Sequence, residues 1–145
     1  MTGKLVGIAK AAQLRMPLEE MRSAHVSVDA GIEGDMRGRK RDRQITVLFR
    51  ESWDDACRDL GVSLPWTTRR ANLLVEGVAP PSSAGGKIRI GDVVLDIRLE
   101  TDPCQLMERA HAGLKAALTP AWRGGVCCNV LSGGEIRVGD SVFLT

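Results

Sequence analysis

GGKIRIGDVVL, residues 85–95, returns near the end of the sequence as GGEIRVGDSVFL, residues 133–144. Both copies follow the plan GG-x-I-R-x-GD-x-V, in which an alternating apolar run meets Gly-Asp and a second apolar run follows. Period-two alternation is the pattern of a half-buried strand. Glycine ahead of aspartate suits the first central position of a type II′ turn, where φ is positive. Each copy is therefore expected to form a β-hairpin, turning at Gly91 in the first and at Gly139 in the second. The copies are too short and too far apart for a solenoid. Two hairpins on either side of a helical stretch fit a small barrel.

The remaining pattern is mostly strand. Alternating or β-branched runs predict strands over 4–10, 25–28, 44–49, 71–76, 93–99 and 125–131. A first helix is expected after Phe49, capped by Ser52 with Asp55 three residues on. Trp53, Ala56, Cys57 and Leu60 would form its buried face, and Gly61 would end it. A second helix is expected behind LETDPCQLMERAHAGL, residues 99–114. There Asp102 serves as N-cap, Pro103 as first helical residue, and Gln105 closes a capping box. Leu106, Met107, Ala110, Leu114 and Ala117 recur at helical spacing until Pro120 stops the element. No parallel βαβ alternation is visible. The fold class that follows is α+β and predominantly β, a small mixed β-barrel with two inserted helices and turn-rich loops at 34–43 and 79–86.

The 145 residues read as one domain, and a chain of this size buries roughly 70% of its unfolded surface. A composition of 43% apolar and 26% charged residues is that of an ordinary globular protein, and a net charge of +2 makes no case for nucleic acid or membrane. The opening MTGKLVGIAKAAQLRM has no long apolar run, so neither a signal peptide nor a spanning helix is expected and the cytoplasm is the default. Cys57, Cys104, Cys127 and Cys128 do not suggest a disulfide framework without a secretory signal. With no C-x-x-C and only His25 and His111, no zinc site is expected.

Cys104 is the candidate to carry chemistry. At a helix start its thiolate would gain from the helix dipole, by ~0.3–1 kcal/mol, so a nearby arginine must supply further positive charge. Inert packing is the competing reading, since free cysteine is among the most buried residue types. Arg37, Arg39, Lys40, Arg41 and Arg43 crowd one loop, and Arg69, Arg70 and Arg123 lie at strand ends or loops. Two Phe, three Trp and no Tyr leave few stacking platforms for RNA, so a bound phosphate is the better functional reading beside a solvated face. Arg43 is expected to turn toward Cys104, since it leads directly into the 44–49 strand. In GIEGD, residues 31–35, two carboxylates sit in a tight turn that can orient an arginine or a polar ligand. Cys127 and Cys128 are neighbours on a strand, so at most one can face Cys104; structural roles are favoured, with a resolving thiol as the alternative.

Five stretches in order resemble the MOSC family, named for the C-terminal domain of molybdenum cofactor sulfurase. They are GIEGD (31–35), RQITVLFRES (43–52), RRANLLVEGV (69–78), IRIGDVVLDIRLETDPCQLM (88–107) and WRGGVCCNVLSGGEIRVGD (122–140). The resemblance implies a barrel of the pyruvate-kinase-barrel-like kind, with a pocket around Cys104. It implies that Cys104 carries sulfur as a persulfide, or ligates molybdenum of a bound molybdenum cofactor, with sulfurtransferase-like or molybdenum-cofactor-dependent activity. Arg43, Arg70, Asn72, Arg123 and Asp35 match family positions near that pocket and are the implied cofactor-binding residues. The resemblance covers the barrel alone, and neither the aminotransferase-like desulfurase domain of the full sulfurase nor the N-terminal subdomain of the amidoxime-reducing members is expected within these 145 residues. The implied partners are therefore a separate cysteine desulfurase as sulfur donor and a molybdoenzyme or cofactor acceptor. The alternative is a non-catalytic ligand-binding or protein-interaction module on the same barrel.

Overall fold

The computed structural model describes residues Thr2–Thr145. Its strands are β1 (Thr2–Lys10), β2 (Glu19–Met21), β3 (Ser23–Ser27), β4 (Gly31–Ile32), β5 (Ile45–Phe49), β6 (Leu73–Glu76), β7 (Lys87–Ile90), β8 (Val93–Glu100), β9 (Val126–Ser132), β10 (Gly134–Arg137) and β11 (Ser141–Leu144). Its helices are α1 (Arg50–Leu60), α2 (Gln105–Ala110) and α3 (Leu114–Leu118), with 3-10 turns at Trp66–Arg69 and Pro120–Trp122. Strands β11, β7, β8, β9, β5, β6 and β1 pair in that order, and β1 pairs back onto β11 to close a barrel. Strand β2 extends the sheet from the far end of β1, while β10, β3 and β4 form a separate small sheet. The expected small, mostly β barrel is the observed fold.

The two Gly-Asp copies behave differently. The first is the expected hairpin: Ile90 pairs with Val93 across Gly91-Asp92, and Gly91 has φ 58°. The second is not a hairpin, because β10 pairs with β3 while β11 pairs with β1 and β7. Gly139 still has positive φ, but its N–H donates to the Leu5 carbonyl at 2.7 Å. Local sequence makes the chain turn; the partner of each arm is set by whichever open strand edge must be satisfied.

A second departure is the parallel pairing of β5 with β6 through α1, a single βαβ unit where no such alternation was expected. It was hidden because β5, ITVLF, is buried on both faces and does not alternate. Val47 and Phe49 point into the barrel, and Leu48 points out beneath α1.

Both helix starts also differ from expectation. Helix α1 begins at Arg50 behind Phe49, without a side-chain cap, so Ser52 is a buried helical residue. Gly61 ends it as expected, in the left-handed conformation, with its N–H and that of Val62 closing on Arg58 and Cys57 carbonyls. The second helix is broken in two between Ala110 and Leu114, where Gly113 has φ 87°. The Glu108 carboxylate accepts from the N–H groups of Gly113 at 2.9 Å and Lys115 at 3.3 Å, which caps the second piece. The N-cap of α2 is Cys104 itself, not Asp102, and no side chain closes a capping box there.

Two apolar layers result. Leu5, Ile8, Val47, Phe49, Ile97 and Cys128 belong to the barrel interior. Leu48, Trp53, Leu74, Met107, Leu114 and Leu118 join the helices to the barrel's outer wall. Among the described residues, no helix is long and apolar enough to cross a membrane.

Candidate functional site

Strand register brings the site together. Leu73 at the start of β6 pairs with Val47, Val47 with Val126, and Val126 with Glu100 at the end of β8. The segment entering β6, which carries Arg69 and Arg70, thus lies at the same rim as the segment leaving β8, which carries Thr101 to Cys104. The two strands do not pair with each other; β9 and β5 stand between them.

Arg69 links these segments. Its Nε donates to the Gly124 carbonyl at 3.0 Å and its Nη2 to the Thr101 carbonyl at 2.9 Å, while the side chain is buried. A side chain at position 124 would meet the Thr101 carbonyl at 2.4 Å and Arg69 Nη2 at 3.2 Å, so only glycine lets the three segments close on the guanidinium. The third nitrogen, Nη1, has no partner among the described residues. Since no fully buried side-chain nitrogen or oxygen lacks a partner, Nη1 reaches solvent. Burial draws Arg69 below the usual arginine range, the Cys104 and Cys127 thiols and the Asp102 carboxylate oppose that effect, and Arg37 reinforces it. Glu100, on the same segment, is held above the usual carboxylate range by burial, with the like charge of Asp102 adding to it.

Cys104 is exposed, whereas Cys57, Cys127 and Cys128 are buried. It stands one residue before α2, with its carbonyl accepting from Met107 N–H at 2.9 Å. Cys57, on α1, packs toward the outer wall of the barrel. The vicinal pair divides as strand geometry requires. Cys128 points into the barrel, where burial pushes its thiol up, and Cys127 points out to Thr101 Oγ1 at 3.2 Å.

The residues that the resemblance assigns to a cofactor are engaged elsewhere or stand apart. Asn72 is fully buried; its Oδ1 accepts from Thr46 N–H at 3.0 Å and its Nδ2 donates to the Ala9 carbonyl at 3.2 Å. Asp35 accepts from Ala11 and Arg37 N–H groups and so ties down its own loop. Arg123 Nη1 donates to Asp59 at 2.7 Å and to the Ala117 carbonyl at 3.0 Å, joining α1 to α3. Arg70, in the left-handed conformation, reaches out to the Met16 carbonyl at 2.8 Å. Arg43 is exposed and makes no side-chain hydrogen bond among the described residues. The loop arginine that turns inward is Arg37, whose Nη2 donates to the Arg70 carbonyl at 2.7 Å. Gln44, next to Arg43, is the residue that fastens the loop, bonding Val28, Gly38 and Val130.

A molybdenum cofactor at Cys104 would need polar groups free to hold a pterin and its phosphate. Asn72 and Asp35 offer little, because the amide and the carboxylate are bonded within the fold, whereas Arg123 is bonded through Nη1 alone. Asn72 and Asp35 thus serve the fold, while Arg43, Arg70 and Arg123 keep guanidinium nitrogens without a partner among the described residues. The rim also carries one exposed thiol, Cys104, three residues beyond the Thr101 carbonyl that the buried Arg69 guanidinium holds.

Sequence reasoning missed Arg69 because nothing in the Arg69-Arg70 pair distinguishes its members. The 3-10 turn Trp66–Arg69, ending at a left-handed Arg70, turns the first inward and the second outward. The available signal was Gly124, whose missing side chain leaves room for a neighbour.

Residues 23–143 match the model of the MOSC domain. The chain is also similar in fold to the crystal structure of the YuaD protein from Bacillus subtilis, at 20% identity and a TM-score of 0.81, with 99% of this chain and 96% of that one covered. The crystal structure of YiiM from Geobacillus stearothermophilus aligns at 17% identity and TM-score 0.70, over 99% of this chain and 73% of that one. That of YiiM from Escherichia coli aligns at 15% and 0.69, over 98% and 69%. No curated protein sequence matches the chain. At these identities the likenesses establish the fold alone.

Proposed function

The chain belongs to the MOSC domain family, and we propose that within it this protein is a sulfur carrier, holding a sulfane sulfur as a persulfide on Cys104. The observation that carries the reading is the exposed Cys104 thiol three residues beyond the Thr101 carbonyl to which the buried Arg69 guanidinium donates, with no partner for its Nη1 among the described residues. A thiolate attacks a donor persulfide, and both the thiolate and the persulfide anion that forms are stabilised by a cation already fixed in place. Arg69 is fixed by Thr101 and Gly124, so little reorganisation accompanies the change of charge. Thr101, through that bond, holds the segment on which Cys104 rides. The exposure of Cys104 also runs against its being only a packed residue on a binding scaffold.

The sulfur donor in this reading would be a cysteine desulfurase persulfide, the partner that the family resemblance implies. The test is intact-mass measurement after incubation with a persulfidated desulfurase. One added sulfur atom is expected on the protein, removable by reductant and absent in Cys104→Ser. Sulfur uptake that survives Cys104→Ser, or no uptake by a protein whose Cys104 alkylates normally, would overturn the reading.

A further inference from the structure

A second feature lies within one helical turn of Cys104. The turn before β6 and helix α2 face each other across an open groove of about 370 Å³. Its floor is apolar, built from buried Met107 and half-exposed Leu106. Arg70, Arg109, Thr67 and Thr68 also line the groove, and no Asp or Glu does. Arg109 forms no ion pair or hydrogen bond through its side chain among the described residues, and Arg70 is held only at Nη2, by the Met16 carbonyl. The nearest acid on α2, Glu108, is turned away to cap α3. The groove is therefore an apolar slot with uncompensated positive charge on both sides.

From this we infer that the groove receives the acceptor of the sulfur, and that the acceptor is a small thiol bearing a carboxylate. The inference rests on the carrier reading above. Guanidinium forks match a carboxylate, the apolar lining takes a short hydrocarbon body, and Leu106 in that lining stands two residues beyond Cys104, within whose reach the acceptor thiol would then lie. The transfer needs no oxidant. The acceptor thiolate attacks the outer sulfur of the Cys104 persulfide, a bond forms between those two sulfurs, and the bond from the outer sulfur to Cys104 Sγ breaks. The electron pair of that bond stays on Sγ. The outer sulfur, held until then as the persulfide anion, takes the proton that the acceptor thiol gives up on becoming the attacking thiolate, so the products are the acceptor persulfide and the Cys104 thiolate.

The test compares 3-mercaptopropionate with cysteamine, in which an ammonium replaces the carboxylate, as acceptors from persulfidated protein. Corrected for thiolate fraction, 3-mercaptopropionate should discharge Cys104 about tenfold faster or more. The advantage should vanish in the Arg70→Gln, Arg109→Gln double variant and invert in Arg109→Glu, a substitution at an exposed position. Hexanoate, which has no thiol, should shift the amide resonances of Thr67, Thr68 and Leu106 saturably, and hexanol should not. Equal rates for the two thiols, or equal shifts from hexanoate and hexanol, overturn the inference and leave the carrier reading standing. Hexanoate binding with no sulfur uptake at Cys104 overturns the acceptor role together with the carrier reading.

Discussion

Arg69 donates from Nη2 to the Thr101 carbonyl at 2.9 Å, three residues ahead of Cys104, although 32 positions separate the bonded pair. That bond joins the entry of one barrel strand to the exit of another. It is made by a buried charge whose other fixed contact is also a backbone carbonyl, Gly124.

Replacing Arg69 should therefore act on both stability and chemistry. Arg69→Gln removes two charge-assisted bonds and is expected to cost ~1.5–3 kcal/mol in denaturant unfolding. It should also slow alkylation of Cys104 at neutral pH. Arg69→Lys keeps the charge but not the fork, and should restore part of the alkylation rate. A Cys104 rate unchanged in both variants would separate Arg69 from the thiol.

Cys104 should be the first cysteine labelled under native conditions, because the other three are buried. Iodoacetamide followed by peptide mapping reads this directly. Labelling of Cys57 or Cys127 ahead of Cys104 would contradict the site. Cys57→Ala should lower stability with little effect on sulfur uptake, since Cys57, on α1, packs toward the barrel wall.

Asn72→Ala should cost about 1–3 kcal/mol, because it leaves the buried Thr46 N–H without its acceptor at 3.0 Å. If sulfur uptake by the folded fraction is retained, Asn72 is a structural residue. A loss of uptake at unchanged stability would return it to the binding site.

In the basic loop, Arg37→Ala should destabilise more than Arg43→Ala. Arg37 bonds the Arg70 carbonyl at 2.7 Å, which is worth ~0.5–1.5 kcal/mol. Arg43 is exposed and its loss should stay within ~0.5 kcal/mol. Thermal unfolding of the two variants side by side decides it.

Alkaline stability should report Cys128. Burial, then the neighbouring Cys127 and Asp96, pushes its thiol far above the ordinary range, so the folded state holds the proton more tightly than the unfolded state does. This contribution is complete below the unfolded thiol's value, about 8.5, and is lost as pH rises past it, by up to about 1.4 kcal/mol per pH unit. Cys128→Val should unfold with a shallower dependence on pH between about 8 and 10. Parallel slopes for the two proteins would mean that Cys128 is not the titrating group.

Sequence alone determined what depends on local pattern. Alternation marked β1, β8 and β9, Gly-Asp marked the turn at Gly91, Gly61 marked the end of α1, and Cys104 was placed at a helix start. These follow from side-chain period and backbone conformation, which neighbours in the chain fix. Which strand edges meet was decided only in three dimensions: the Gly139 turn looks like the Gly91 turn, yet its arms serve two different sheets. The partner of Cys104 was likewise a tertiary matter. Arg69 and Arg70 are adjacent and chemically alike, and only the register from Leu73 through Val47 and Val126 to Glu100, with the room left by Gly124, gives the inner one its carbonyl partner on the segment that leads to Cys104. A buried guanidinium is held where unsatisfied carbonyls converge, and that convergence is a property of the closed barrel and of no single segment.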